Sequence, residues 1–356
     1  MPITITPSNA PDMVTTTLDK YRKNKFIHAA KSYRNLALLK SLIGGGNVVG
    51  VSKAKGNAID SMTVSGGIEY KFAIMLATGT NVKHVGLYSQ DTLSTATYLS
   101  QGHIPLRGTT GNYIYDEQEI DINSGEEKIL SILDPRRAAT ITDLMETMET
   151  TAWGCPTDEN DVLTPIGVGY FVVKSSTLTY GANPTGHSSV AGLVHANWRN
   201  LAGQYTAVAW DDLIYQMELM YIRLNWQNYP RLPASAEQPE LNLAIYVNET
   251  TYAHLLGLAR SQNHPTNSAE LTAYMDRLAF NGVPIQLASA LNSDTDNPVY
   301  FLNLNYLKFG VRAGWFFKET PPQCVSGSHN VRAIFLDTTW GTMCLDRKTH
   351  GVLAQV

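Results

Sequence analysis

Residues 134–153, DPRRAATITDLMETMETTAW, limit what this chain can fold into more than any other stretch, because they read as one long helix. Asp134 is placed to act as N-cap, its carboxylate accepting a backbone N–H that has no helical partner. Pro135 suits the first helical position, where no N–H is required and φ is already helical. Ala138, Ile141, Met145, Met148 and Ala152 recur at three- and four-residue spacing and so share one face. Arg136, Asp143, Glu146 and Glu149 fall on the others, and Gly154 and Pro156 end the helix. A stripe of Ala and Met is low and adaptable, and alone it describes an ordinary helix packed on a sheet. Its surroundings are less ordinary. A long polar β-arm precedes it and a large region of mixed helices and strands follows, which makes the fold class α+β.

The 356 residues suffice for one large or two medium domains with a sizeable core. Charged residues are 16% of the chain, against about 25% in typical globular proteins. Such a chain either has an Asn/Thr/Ser-rich surface or hides surface in subunit contacts. The net charge of −4 is unevenly divided. Residues 1–56 hold nine Lys/Arg and two Asp, +7, leaving 18 basic and 29 acidic residues, −11, for the remainder. A basic end on an acidic body suits nucleic acid or an acidic neighbour, but no base-reading motif accompanies it. Cys155, Cys324 and Cys344 are far apart, so neither a disulfide framework nor a zinc site follows. A reducing cytoplasm is the setting they fit. The N-terminus lacks the charged and apolar regions of a signal peptide, and no apolar run approaches the ~18 residues of a membrane span.

In chain order, residues 1–17 are polar and read as an extended arm. A helical pattern runs from Leu18 to Leu42 and is stopped by Gly44, Gly45 and Gly46. GGGNVVGVSKAKG has the glycines of a phosphate loop but lacks Gly-Lys-Ser/Thr opening a helix after a strand, so the glycines read as a hinge. Residues 62–78 read as a strand, with Ile68, Tyr70, Phe72, Ile74 and Leu76 on one face at period two. Residues 112–123 read as a second strand, with Ile120 and Ile122 on one face and Glu117, Glu119 and Asp121 on the other. Between them, 79–111 reads as a long polar loop. Two strands cannot make a core alone, so this unit is expected to rest on something outside itself.

GVGYFVV and a Gly-rich stretch to about Ala207 follow the long helix. Residues 210–228 read as a second strong helix, with Leu213, Met217, Met220 and Leu224 as its stripe and Asp211 and Asp212 at its positive end. Residues 229–240, YPRLPASAEQPE, read as a linker and the clearest boundary. A strand at 241–247 follows, and then a helix capped by Asn248. Another helix opens on a capping box at Asn267 and Glu270 and is ended by Gly282. VPIQLA, VYFLNL, LKFGVR, VRAIFLDTT, TMCLD and GVLA are all strand-like.

Catalytic signatures are absent from the sequence. The nine histidines are scattered, with no HExxH, and no G-x-S-x-G elbow occurs. Adjacent Asp211 and Asp212 point about a hundred degrees apart on a helix and make poor acid–base partners. No catalytic residue, metal ligand or cofactor is expected.

The order of elements nevertheless resembles a known family. VSGGIEYKFAIMLATGTNVKHVGLYSQD, YIYDEQEIDINSGEEKILSILDPRRAATITDLMETM, VHANWRN, VYFLNLNYLKFGVRAGWFFKETPP and TMCLDRKTHGVLAQ together resemble the major capsid protein of tailed double-stranded DNA phages. The resemblance implies a tailed-phage capsid fold. Residues 1–56 would be its N-terminal arm and 57–130 an extended β-hairpin loop crossing a neighbour. Residues 131–240 would form a peripheral domain with 134–153 as spine helix, 241–330 an axial domain, and 331–356 closing strands. It implies hexamers and pentamers of this chain in an icosahedral shell around double-stranded DNA, assembled in a bacterial host cytoplasm and located in the virion capsid. A portal and a decoration protein are implied partners. Because the chain is short and begins at Met1, a separate scaffolding protein is expected. Arg22, Lys23, Lys25, Tyr70, Phe72, Asp116, Glu117, Glu119 and Asp121 would make inter-subunit contacts. Lys20, Arg22, Lys23 and Lys25 would face DNA, and Gly44, Gly45 and Gly46 would be the hinge. A bacterial nanocompartment shell of the same fold is the alternative, and an enzyme of another class a more distant one.

Overall fold

The computed structural model describes residues 36–44, 48–49, 69–75, 84, 86–87, 99–122, 133–156, 161–174, 179–180, 198–226, 241–262 and 278–356. They fall into two units. The larger, drawn from residues 35–107, 149–313 and 340–356, carries a seven-stranded mixed sheet. Its order is Thr179–Tyr180, Leu201–Tyr205, Gly351–Gln355, Val299–Asn303, Leu243–Val247, Val283–Leu287, Ala279–Phe280. Val299–Asn303 is buried at every position, which explains its continuous apolar run in place of alternation. The sheet takes strands from both sides of 229–240. That stretch, expected as a boundary, therefore links two parts of one unit, although its own residues lie outside those described. Gly351–Gln355 pairs with Val299–Asn303 and Leu201–Tyr205, so this closing strand is interior to the sheet.

The helix expected at 210–228 begins as a π-helical turn, Trp210–Ile214, and continues as the α-helix Tyr215–Arg223. Leu213, Met217, Met220 and Leu224 are buried as their spacing predicts. It ends earlier than expected because Asn225 adopts φ 57°, a left-handed conformation that terminates helices. The helix lies close on the central strand: a Cβ at Gly351 would sit 2.5 Å from the Met220 sulfur. Asn248 caps Glu249–Gln262 as expected, its Oδ1 accepting the Thr251 N–H at 2.9 Å. Gly282 was expected to stop a helix. It instead follows Asn281 in the two-residue turn joining Ala279–Phe280 to Val283–Leu287, both turn residues having positive φ, the geometry that matches strand twist. The helix expected ahead of it lies outside the described residues.

Ala37–Gly44 is a helix whose Leu38, Leu39 and Leu42 are buried. It ends at Gly44, while Gly45 and Gly46 lie outside the described residues. Val48–Val49 then pairs in parallel with Leu307–Val311. Glu69–Met75 is the expected strand, with Tyr70 and Phe72 buried and Glu69, Lys71 and Ala73 exposed. Its partner is Leu99–Pro105, inside the stretch expected to be loop. LSQGHIP shows no clean apolar alternation, so backbone pairing to the neighbouring strand, rather than side-chain pattern, makes it β.

The smaller unit includes residues 108–148 and 314–339. The strand Arg107–Asp116 gives way to a helix, Glu117–Ile122, where continued strand was expected. Asp116 Oδ1 accepts the Gln118 N–H at 2.9 Å, and Glu117 and Glu119 occupy the first turn, so a cap and acidic residues at the positive end outweigh the alternation. VRAIFLDTT and TMC, expected as two strands, form one, Val331–Cys344. Lys318–Glu319 and Gln323–Cys324 pair antiparallel to it. The long helix is Leu133–Trp153. It starts one residue early, so Asp134 lies in its first turn and favours it through the helix dipole rather than as the cap. Thr140, Thr142 and Thr147 each donate to the carbonyl four residues back, which lets a polar helix satisfy its own hydroxyls.

Candidate functional site

The acidic residues expected at a subunit contact are largely engaged within their own chain. Arg136 grips the 117–122 helix, its Nη1 donating to Glu119 at 2.7 Å and to the Ile114 carbonyl at 2.9 Å. Arg332 Nε lies 2.6 Å from Glu117. Asp116 serves as the cap, and Asp121 is exposed. A second node joins Tyr113, Arg137 and Glu319. Tyr113 donates its hydroxyl to Glu319 at 2.5 Å and Arg137 donates to the same carboxylate at 3.0 Å. Those two donors hold the Glu319 carboxyl below its ordinary value, while burial, reinforced by the bond to Glu319, pushes Tyr113 up to about 12. The acidic cluster is thus a ridge braced by Arg136 and Arg332.

In the larger unit, Tyr70 and Phe72 stack with ring centroids 6.0 Å apart, and Phe72 lies 6.4 Å from Trp198. Both are buried within their own unit. Lys20, Arg22, Lys23 and Lys25 lie outside the described residues, as do Gly45 and Gly46.

Three functional-looking groups were missed at the sequence level. Glu149, placed there on a face other than the apolar stripe, is only 2% exposed. Its carboxylate accepts the backbone N–H of Leu38, the N–H of Leu39 and the Trp153 indole N–H, each at 2.9 Å. Burial nonetheless raises its carboxyl above the ordinary value, with the three donors opposing. A signal existed, since Glu149 stands four residues after Met145 and three before Ala152, within the apolar stripe. Arg347 is fully buried and donates to the carbonyls of Phe171 and Trp198 and to Asn200 Oδ1; burial lowers it to about 10. His350 is fully buried, its Nδ1 accepting the Asn303 N–H at 3.1 Å. Burial first, and the Arg347 charge second, lower it to about 3. A neutral, enclosed imidazole beside a guanidinium is a structural pair, since neither reaches solvent to meet a substrate.

Among the described residues no group of three or more His, Cys, Asp or Glu is placed to hold a metal ion, and no helix is long and apolar enough to cross a membrane. What the geometry supplies is braced surface and anchored segments. No family profile and no curated protein matches the sequence. Solved structures do. A chain of the cyanophage A-1(L) capsid asymmetric unit superposes with a TM-score of 0.63 at 12% identity, covering 94% of this chain and 97% of that one. The capsid of an empty GTA particle gives 0.57 at 12% identity, covering 95% and 96%. The capsid of the Myoviridae phage XM1 gives 0.54 at 12% identity, covering all of both chains. The chain therefore has the fold of tailed-phage capsid proteins.

Proposed function

We propose that this chain is the major capsid protein of a tailed phage, a structural protein whose copies associate as hexamers and pentamers into an icosahedral shell around double-stranded DNA. The observation that carries the proposal is the extent of the match: a capsid chain aligns with 94% of this chain, and 97% of that chain is covered. Low charge content, 16%, fits a surface that is covered in the assembly. The partners of this role are other copies of the chain, DNA held without sequence preference, a portal, a scaffolding protein and a decoration protein. Assembly takes place in the bacterial cytoplasm and the product resides in the virion. Arg22, Lys23 and Lys25 reach a neighbouring subunit, drawn by the negative charge of its acidic ridge.

Electron microscopy of the purified protein, expressed with and without a scaffolding partner, tests this. Closed angular shells able to enclose DNA are expected. Closed shells filled with protein cargo would indicate a nanocompartment, and an unassembled chain under all conditions would overturn the shell role.

A further inference from the structure

The parallel pairing of Gly351–Gln355 with Leu201–Tyr205 brings together the segments that enter those two strands, residues 198–200 and 347–350. Leu201 N–H donates to the His350 carbonyl at 3.1 Å. Arg347 donates to the Trp198 carbonyl at 2.8 Å and to Asn200 Oδ1 at 3.1 Å. Three N–H donors in this cluster have no acceptor. Trp198 Nε1, Arg199 Nε and His350 Nε2 are all buried atoms without a hydrogen-bond partner. His350 Nε2 is a donor because Nδ1 accepts the Asn303 N–H, which leaves the proton of a neutral imidazole on Nε2. Buried donors are rarely left unpaired, so a group of them calls for an acceptor from outside the chain.

Charge makes the same demand. Arg347 is fully buried, and its acceptors, two carbonyls and an amide oxygen, are all neutral. Burial above all holds it down, to about 10, and the Arg199 charge acts in the same direction, against Cys344 and Tyr170. Two guanidiniums therefore lie close enough to repel. Among the described residues no carboxylate forms an ion pair with either. Taking cations out of water without a counter-charge is costly. A water molecule meets the donors but leaves the charge, whereas an anion meets both.

We infer that Arg199 is the gripping residue of an oxyanion site, which takes one carboxylate- or phosphate-type group while Arg347 adds charge from the core. Arg199 is half-buried, so part of its side chain is open to a ligand while Nε is closed to water. Its planar fork of N–H donors matches two oxygens of one anion. The segment that carries it is held in place beforehand. Asn200 Nδ2 donates to the Val173 carbonyl at 2.9 Å, and the Trp198 ring lies 6.4 Å from that of Phe72. A preorganised site loses little freedom on binding. The inference goes beyond the shell reading and does not depend on it. The anion is either a free ion or a carboxylate on a second copy, and the chemistry of the grip is the same.

The test compares the full chain with Arg199→Gln and Arg199→Lys, using inorganic phosphate as the probe against chloride at matched ionic strength. Arg199→Gln removes an unpaired cation, so its melting temperature in chloride should stay within a few degrees of wild type. Saturating phosphate should raise the melting temperature of wild-type free subunits by about 2 °C, that of Arg199→Lys by less, and that of Arg199→Gln not at all. Calorimetric titration should give a single bound phosphate per chain. Assembly with scaffold then separates the two sources. If a second copy supplies the anion, phosphate competes with it: wild-type shells need a higher protein concentration in phosphate than in chloride, and Arg199→Gln needs the higher concentration in both. If the anion is a free ion, the wild-type threshold is no higher in phosphate and the shells keep phosphate bound. Either result supports the site. Equal melting shifts in wild type and Arg199→Gln, or a wild type that takes up no phosphate, would overturn it and show that water alone meets the donors. These measurements are made on free subunits, so they are decided separately from the shell reading, which fails only if no shell forms.

Discussion

Glu149 Oε2 accepts the backbone N–H of Leu39 at 2.9 Å, binding the long helix to the first turn of Ala37–Gly44, 110 residues earlier in the chain. The amide of Leu38 reaches the other oxygen at 2.9 Å. The first N–H groups of a helix have no partner within it, and here a carboxylate from a distant element caps them. The segment is fixed further by Tyr246, whose hydroxyl donates to Ser41 Oγ at 2.7 Å. Whatever lies before residue 36 departs from an anchored point.

Replacing that carboxylate should loosen the anchor. Glu149→Gln keeps one acceptor oxygen but turns an amide NH2 toward a backbone N–H, so a loss of about 1–3 kcal/mol in unfolding free energy is expected. Exchange of the Leu38 and Leu39 amides should accelerate more than that of the sheet. Burial raises the Glu149 carboxyl above its unfolded value. Its contribution is therefore full below the ordinary glutamate range and lost as pH rises through the folded value. Wild type should gain on Glu149→Gln as pH falls toward the ordinary glutamate range in paired denaturant titrations. A constant difference would show that the carboxyl titrates normally.

Arg347 ties the carbonyls of Phe171 and Trp198 to the turn before the last strand. Arg347→Met fills similar space but strands the carbonyls of Phe171 and Trp198, while Asn200 Oδ1 keeps the Val173 N–H. A destabilisation of about 1–3 kcal/mol for each stranded carbonyl is expected, as when a buried acceptor loses its donor. Arg347→Lys, which cannot span three acceptors, should fall between. Equal stability of Arg347→Met and wild type, by chemical denaturation, would mean that the guanidinium is dispensable.

His350 predicts acid sensitivity. Burial lowers its folded value to about 3 from the ordinary 6.5, so its contribution is present above 6.5 and is lost as pH falls toward 3. The slope is at most about 1.4 kcal/mol per pH unit. Denaturant midpoints measured from pH 7.5 to 4 should fall for wild type and fall less for His350→Gln. Parallel curves would place the acid sensitivity elsewhere.

Much of the fold was legible because it rests on strong local periodicity. The long helix, the Leu213–Met217–Met220 stripe, the Asn248 cap and the apolar strands at 243–247, 283–287, 299–303 and 307–311 follow from spacing and caps alone. The misses have a common cause. Leu99–Pro105 and Leu201–Tyr205 are strands by virtue of backbone pairing to distant partners, which leaves no periodic mark in LSQGHIP or LAGQY. Glu117–Ile122 was read from alternation when capping by Asp116 decides it. The electrostatic picture was only partly legible. Clustered acids show in sequence, but Arg136 and Arg332, which lie 17 and 215 residues away from their partners, neutralise two of them.

That pairing bears on the basic N-terminal segment. Its +7 had two competing partners, packaged DNA and the acidic ridge. With Glu119 held by Arg136 and Glu117 by Arg332, part of the ridge's charge is already engaged within its own chain. A neighbour can still attract the arm there, but no single pair dominates. Exposed ion pairs contribute only about 0–1 kcal/mol each, so Lys20→Glu, Arg22→Glu, Lys23→Glu or Lys25→Glu alone should alter assembly little. Reversing all four changes the segment by eight charge units, from +7 to −1, and turns attraction to the ridge into repulsion. The yield of empty shells from this variant and scaffold, without any packaging machinery, should fall several-fold, and more steeply at low salt than at high salt. If empty shells form at wild-type yield and only genome packaging fails, the arm contacts DNA, whose binding is non-specific and strongly salt-dependent, and the inter-subunit role is wrong.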